Sequence, residues 1–71
     1  METLGDAFPK EQARCRQLIR QYEQIQATMP GVNCRFAIAS IEEILKRADQ
    51  AVMHQDSVAM IALLEEMRGC E

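Results

Sequence analysis

Apolar residues recur at helical spacing in the first third of the chain. Steps of three and four residues place them on one face of a helix over about residues 9–28. Pro9 suits a first helical position, where its missing N–H leaves no bond unmade. The Met29-Pro30-Gly31 triplet ends the helix, because proline prevents its continuation and glycine permits a reversal. Residues 1–8 are then expected to form a flexible arm. The apolar face consists of Cys15, Leu18, Ile19, Tyr22 and Ile25.

A second periodic stretch predicts a helix over about residues 34–53, with Asn33 as its cap. An alternative interpretation starts this helix at Ser40, because Ser40-Ile41-Glu42-Glu43 matches a capping box. Residues 34–39 would then be extended. We favour the earlier start, since a single short strand has no partner with which to pair. The expected core stripe is Ala37, Ile38, Ile41, Ile44, Leu45, Ala48 and Val52.

The third helix is expected over about residues 57–68. Asp56 is a good N-cap, and Gly69 stands where a left-handed residue often ends a helix. The links between the helices are short, which favours antiparallel neighbours. No linker, repeat or low-complexity tract divides the 71 residues. The sequence therefore predicts one all-α domain over residues 1–71, a small three-helix bundle with short connections.

The third helix carries an unusually wide apolar surface. Seven apolar residues follow one another from Val58 to Leu64, and a helix that is apolar all round is normally covered on more than one side. If Val58 and Ile61 face the other helices, Met60 and Leu63 are left exposed. Exposure forfeits about 1.5–3 kcal/mol of possible burial for each large side chain. Together with Met67 they predict a surface that binds a second copy, as a homodimer, or the groove of another protein.

Composition narrows the class of protein. The net charge is −3 and the hydrophobic content 48%, which is typical of a globular domain and unlike the basic footprint of a general nucleic-acid binder. No apolar run is long enough to span a membrane, and the N-terminus does not read as a signal peptide. We therefore expect a cytoplasmic protein without membrane contact. Three widely spaced cysteines are expected to be free thiols there. They are Cys15, Cys34 and Cys70.

The first helix is basic. Between residues 10 and 20, four cations stand against Glu11 alone. This part of the helix is therefore either a contact for phosphate or an acidic partner, or a solvated face. A DNA-reading role for the helices that follow is disfavoured, because the third helix offers no base-reading Arg, Asn or Gln. Nucleic acid is thus an unlikely partner. The four cations are Lys10, Arg14, Arg16 and Arg20.

Catalytic chemistry finds little support in the sequence. His54 is the single histidine and lacks the companions that a general base or a metal ligand needs. The acid pairs Glu42-Glu43 and Glu65-Glu66 stand beside apolar stripes, where solvated carboxylates normally lie. No phosphate-binding loop or nucleophile motif is present. We predict no enzyme activity, no cofactor, no metal and no catalytic residue.

Two segments carry a resemblance to known proteins: Leu4-Gly5-Asp6-Ala7-Phe8-Pro9-Lys10-Glu11-Gln12-Ala13-Arg14, and Ala48-Asp49-Gln50-Ala51-Val52 leading to Asp56 and Met60. Together they resemble short helical proteins of bacteriophages and prophages of proteobacteria. The resemblance implies a small inhibitor of a host protein, as anti-CRISPR and other anti-defence proteins are. It carries no site residue over to this chain.

The sequence thus favours a non-catalytic protein-binding module, which the resemblance makes a phage protein that inhibits or modulates a host defence protein. One alternative is a small transcriptional regulator or nucleic-acid accessory protein, and another is a self-assembling structural subunit. The candidate partner-binding residues are Met60, Leu63 and Met67 on the third helix and Arg14, Arg16 and Arg20 on the first.

Overall fold

The computed structural model describes residues 3–29 and 31–70 and contains three α-helices. They are α1 (Leu4–Thr28), α2 (Arg35–Met53) and α3 (Ser57–Arg68). Each helix packs against the other two, and no strand occurs in the described residues. The predicted all-α three-helix bundle is therefore confirmed. Met1, Glu2, Pro30 and Glu71 lie outside the described residues, so the predicted arm and the Met29-Pro30-Gly31 turn are described only in part.

The first helix begins at Leu4 rather than near Pro9, so the predicted arm is wrong for its described helical part. Thr3 is the N-cap: the Asp6 amide donates to Thr3 Oγ1 at 3.3 Å, and that hydroxyl donates to Asp6 Oδ2 at 2.9 Å. Phe8 is fully buried, which contributes about 2–3 kcal/mol. Pro9 deprives only the Gly5 carbonyl of its helical donor. Burial of Phe8 thus favours the helix despite Pro9.

The second helix has the earlier of its two possible starts. The N-cap is Cys34, without a side-chain capping bond, rather than the predicted Asn33. Asn33 Oδ1 nevertheless accepts from the Arg35 amide at 3.0 Å, and Ser40 lies inside the helix. Ile41, Leu45 and Ala48 are buried as predicted, and the rest of the expected stripe is half-buried apart from one residue. Val52 is exposed, and Ala51 takes its place in the core. The third helix docks on the Ala51 side of α2, which a helical period alone does not specify.

The third helix begins as expected, with the Ala59 amide donating to Asp56 Oδ1 at 3.1 Å. Its end differs from the prediction. Gly69 is right-handed, at φ −77° and ψ −10°, because the last carbonyls of α3 find donors in the next turn and in α1. Residues with positive φ lie instead in the two connections between the helices: Gly31 between α1 and α2, at φ 100°, and Gln55 between α2 and α3, at φ 52°.

The core lies in the half of the molecule where all three helices meet. With 12 residues, α3 is roughly 18 Å long, whereas the 25 residues of α1 extend over roughly 38 Å. The last turn of α3 lies beside Arg47 of α2, since Arg47 Nη1 is 3.8 Å from Glu66 Oε2. The C-terminal part of α1 and the N-terminal part of α2 therefore extend beyond α3 as a two-helix hairpin. The core consists of Ala7, Phe8, Cys15, Ile41, Leu45, Ala48, Ala51, Leu63, Leu64 and Met67.

Candidate functional site

The structure places the predicted apolar surface of α3 inside the bundle. Met67 is fully buried, Leu63 is 5% exposed and Met60 is half-buried. The prediction that these side chains are left over on the surface is therefore wrong. The exposed apolar residues of α3 are Val58 and Ile61. Residues 60, 63, 64 and 67 follow the i, i+3, i+4, i+7 spacing of a single buried stripe. The prediction did not use this spacing, which was the signal in the sequence that could have identified the correct face.

Arg14, one of the predicted partner-binding cations, is bound within the chain. Its Nη1 donates to the Cys70 carbonyl at 2.9 Å, its Nη2 donates to the Met67 carbonyl, and its Nε pairs with Glu11 Oε2 at 2.7 Å. The hydrogen bond to Glu11 raises the pKa of the guanidinium. Arg14 thus caps the C-terminal end of α3, where a cation also meets the negative end of the helix dipole.

The other two predicted cations differ in their surroundings. Arg16 Nη2 lies 3.2 Å from Asp49 Oδ1 on α2, and the buried Gln12 donates its side-chain amide to the same oxygen at 2.9 Å. Arg20 is exposed and has no side-chain ion pair or hydrogen bond to any residue in 3–29 or 31–70. The basic helix therefore does not present a continuous basic surface, because Arg14 and Arg16 hold α1 against α3 and α2.

Four exposed apolar side chains lie at or near the reversal between α1 and α2, and we call them the tip surface: Ile25, Met29, Val32 and Phe36. Phe36 is the most exposed large apolar residue, at 87%, in the first turn of α2. The Val32 amide donates to the Met29 carbonyl at 3.2 Å, and the Cys34 amide donates to Gln26 Oε1 at 2.6 Å. These bonds fix the reversal, so the tip surface has a defined shape.

A shallow groove leads away from the tip surface along α2. It begins at Phe36, passes Ala39, Ser40, Glu43 and Ile44, and reaches Arg47, where α3 ends; its volume is about 390 Å³. Below this point α3 covers α2. The groove exists because α3 is too short to cover the first turns of α2. Sequence reasoning missed both groove and tip surface, since Phe36 stands outside any apolar stripe.

The tip surface is also nearly free of charge. Residues 24–41 include one charged side chain, Arg35, whereas the chain as a whole has eight basic and eleven acidic residues. The polar residues of α1 that lead to the tip surface are Gln21, Glu23, Gln24 and Gln26. The cores of protein–protein interfaces are depleted in charge in the same way, because charged groups are costly to desolvate.

A second cleft of about 410 Å³ lies between the C-terminal half of α2 and α3. It is lined by Arg47, His54, Asp56 and Glu66 together with small apolar residues. His54 is exposed. Among residues 3–29 and 31–70 no cluster of three or more His, Cys, Asp or Glu side chains is arranged to hold a metal ion. The cleft is therefore more polar in character than the tip surface.

Comparison with known proteins adds no relative. The chain matches no protein-family model, and no curated protein or solved structure is significantly similar to it. None of the three helices, taken over the described residues, combines the length and hydropathy of a membrane-spanning helix.

Proposed function

We propose that this chain is a non-catalytic protein-binding module that contacts its partner through the tip surface. The observation that carries the proposal is an exposed Phe36 within a stretch of 18 residues that has a single charge. Full burial of one such side chain is worth about 1.5–3 kcal/mol. Aromatic side chains are also the most frequent anchors of interfaces. A partner with an uncharged apolar groove or helix face matches this chemistry.

The opposite end of the bundle fits such a partner less well. It also exposes apolar side chains, with Met53 at 77% and Val58 at 79%. Asp49, Asp56 and Glu65 lie within seven positions of one of these residues in the sequence, and a partner that covers charged groups must desolvate them. Residues 24–41 include one charged side chain, Arg35, which favours the tip.

The basic-helix alternative draws less support from this fold than from the sequence. A regulator or nucleic-acid accessory protein was suggested by the cations of the first helix, but Arg14 and Arg16 are engaged with α3 and α2. The resemblance to small phage proteins makes a proteobacterial host protein the first class of partner to test. Inhibition of a defence protein remains a proposal that rests on that resemblance alone.

The test is site-specific photocrosslinking from the tip. A benzophenone amino acid replaces Phe36 in one sample and Val58 in another, since both positions are largely exposed. Each purified protein is irradiated alone and in a proteobacterial cell extract. We expect a discrete adduct of defined mass from position 36 and none from position 58. Phe36 is ideal for the label because it is an aromatic residue already.

A second substitution supplies the control. Val32→Asp should abolish the adduct formed from position 36, while Val58→Asp should leave it unchanged, and circular dichroism must show both variants folded. An adduct of twice the chain mass in the sample irradiated alone identifies a second copy as the partner, as for a self-assembling subunit. Equal crosslinking from positions 36 and 58, or persistence of the adduct in Val32→Asp, contradicts binding through the tip surface.

A further inference from the structure

Two cysteines that are 55 positions apart in sequence meet where α3 ends against α1. Cys15 on α1 is fully buried, and its Sγ lies 3.8 Å from the Met67 carbonyl oxygen. The Cys70 amide donates to the same oxygen at 3.1 Å. One carbonyl therefore contacts the thiol of Cys15 and the backbone of Cys70, so the two cysteines are neighbours in space.

The neighbouring residue on α1 strengthens this arrangement. Arg14 donates to the carbonyls of Met67 and Cys70, and so holds the backbone of Cys70 against the turn of α1 that carries Cys15. Burial first, and then the proximity of Cys70, raise the pKa of the Cys15 thiol to about 11. The pair is thus brought together by packing and by the Arg14 clamp.

The two thiols differ in access to solvent. Cys70 is only partly buried and follows Gly69, beyond the last residue of α3. Its Sγ contacts the Glu66 carbonyl at 3.5 Å. A rotation of this side chain breaks one weak S–H···O contact and no helical hydrogen bond. Cys70 can therefore meet a dissolved oxidant, whereas Cys15 has no exposed surface.

We propose that Cys15 and Cys70 are a redox-responsive thiol pair that closes to an intramolecular disulfide under mild oxidation. With glutathione disulfide as oxidant, the Cys70 thiolate attacks one sulfur of the oxidant and releases a glutathione thiolate. Cys15 then loses its proton to solvent and attacks Cys70 Sγ, which releases the second glutathione. The pair loses two electrons and two protons, and the oxidant becomes two glutathione molecules.

Such a bond has a defined consequence for the fold. It joins α1 covalently to the end of α3, where the reduced protein relies on Arg14 and on packing. A cross-link across so many residues limits the unfolded chain and stabilises the native state. Transient disulfides of this kind are the usual form of thiol regulation in reducing compartments.

The experiment equilibrates the native full-length chain with glutathione buffers of increasing oxidised fraction. Free thiols are then trapped by alkylation, and the intact mass and the linked peptides are determined. We expect a species that is lighter by two hydrogens, with Cys15 joined to Cys70, a higher melting temperature, and reversal by excess reduced glutathione. Cys34→Ser is the matched control and should behave as the parent chain.

Substitution of each partner completes the test. Cys70→Ser should abolish the intramolecular product and leave Cys15 protected from alkylation in the folded protein. Cys15→Ser should abolish the same product, and Cys15→Ala takes its place if the serine variant does not fold. A stable glutathione adduct on Cys70 with free Cys15 overturns the proposal. So does a linkage that includes Cys34, or a Cys15–Cys70 bond that forms only in denaturant.

Discussion

Removal of the Arg14 side chain should destabilise this bundle far more than removal of any other cation on its helix. Arg14 joins the middle of α1 to the end of α3 through two backbone carbonyls, those of Met67 and Cys70, and it pairs with Glu11 in its own helix. Arg14→Ala deletes all three interactions and leaves the helix backbone intact, because alanine is the best helix former. The last turn of α3 then loses its side-chain cap.

The magnitude follows from these contacts. Charge-assisted hydrogen bonds contribute about 1.5–3 kcal/mol when shielded, but 39% of the Arg14 side chain is exposed, so water replaces part of each and about 1 kcal/mol per carbonyl is appropriate. The helix dipole adds about 0.3–1 kcal/mol, and the Glu11 pair about 0.3 kcal/mol. The expected loss is therefore about 3 kcal/mol, which lowers the melting temperature of a domain this small by roughly 12–24 °C.

Urea denaturation followed by circular dichroism measures this loss. Arg14→Lys should recover less than half of it, since lysine keeps the charge at the helix end but cannot donate to two carbonyls from a fixed fork. Arg20→Ala, which removes an exposed cation without a partner in the described residues, should leave the midpoint unchanged. The reasoning is refuted if the free energy of unfolding of Arg14→Ala stays within about 0.5 kcal/mol of that of the parent chain. It is also refuted if Arg20→Ala lowers the free energy of unfolding as much as Arg14→Ala does.

Two further predictions concern residues buried by α1. Phe8→Ala should cost about 3–5 kcal/mol by leaving a cavity and should leave the chain largely unfolded by circular dichroism; a flexible arm over residues 1–8 instead predicts no change. Because the native pKa of Cys15 is raised from 9.0 to about 11, the unfolded chain loses this proton first. The resulting stability is present below pH about 9 and is lost as pH rises to about 11, by up to about 2–3 kcal/mol. The urea midpoint should fall less between these two pH values in Cys15→Ala than in Cys34→Ser. An equal fall of the midpoint with pH in both variants would contradict a buried neutral thiol.

The sequence by itself determined which segments are helical and where most of them stop. Apolar spacing located three helices, and Asp56 identified the start of the third, because these effects act within a few residues of the chain. The early start of the second helix was predicted because a single short strand has no partner with which to pair. The start of the first helix was missed. Pro9 suggested a first helical position, whereas the Thr3–Asp6 cap and the burial of Phe8 extend the helix to Leu4.

Only the tertiary structure decided which faces and charges remain free. The rotation of α3, which buries Leu63 and Met67 and exposes Val58 and Ile61, depends on packing against two other helices. The capture of Arg14 by the end of α3 depends on residues more than 50 positions away in the chain. The tip surface exists because α3 is shorter than the helices that it packs against, so Phe36 and its neighbours extend beyond its cover. Side-chain spacing specifies a helix, but the three-dimensional packing of the helices specifies its surface.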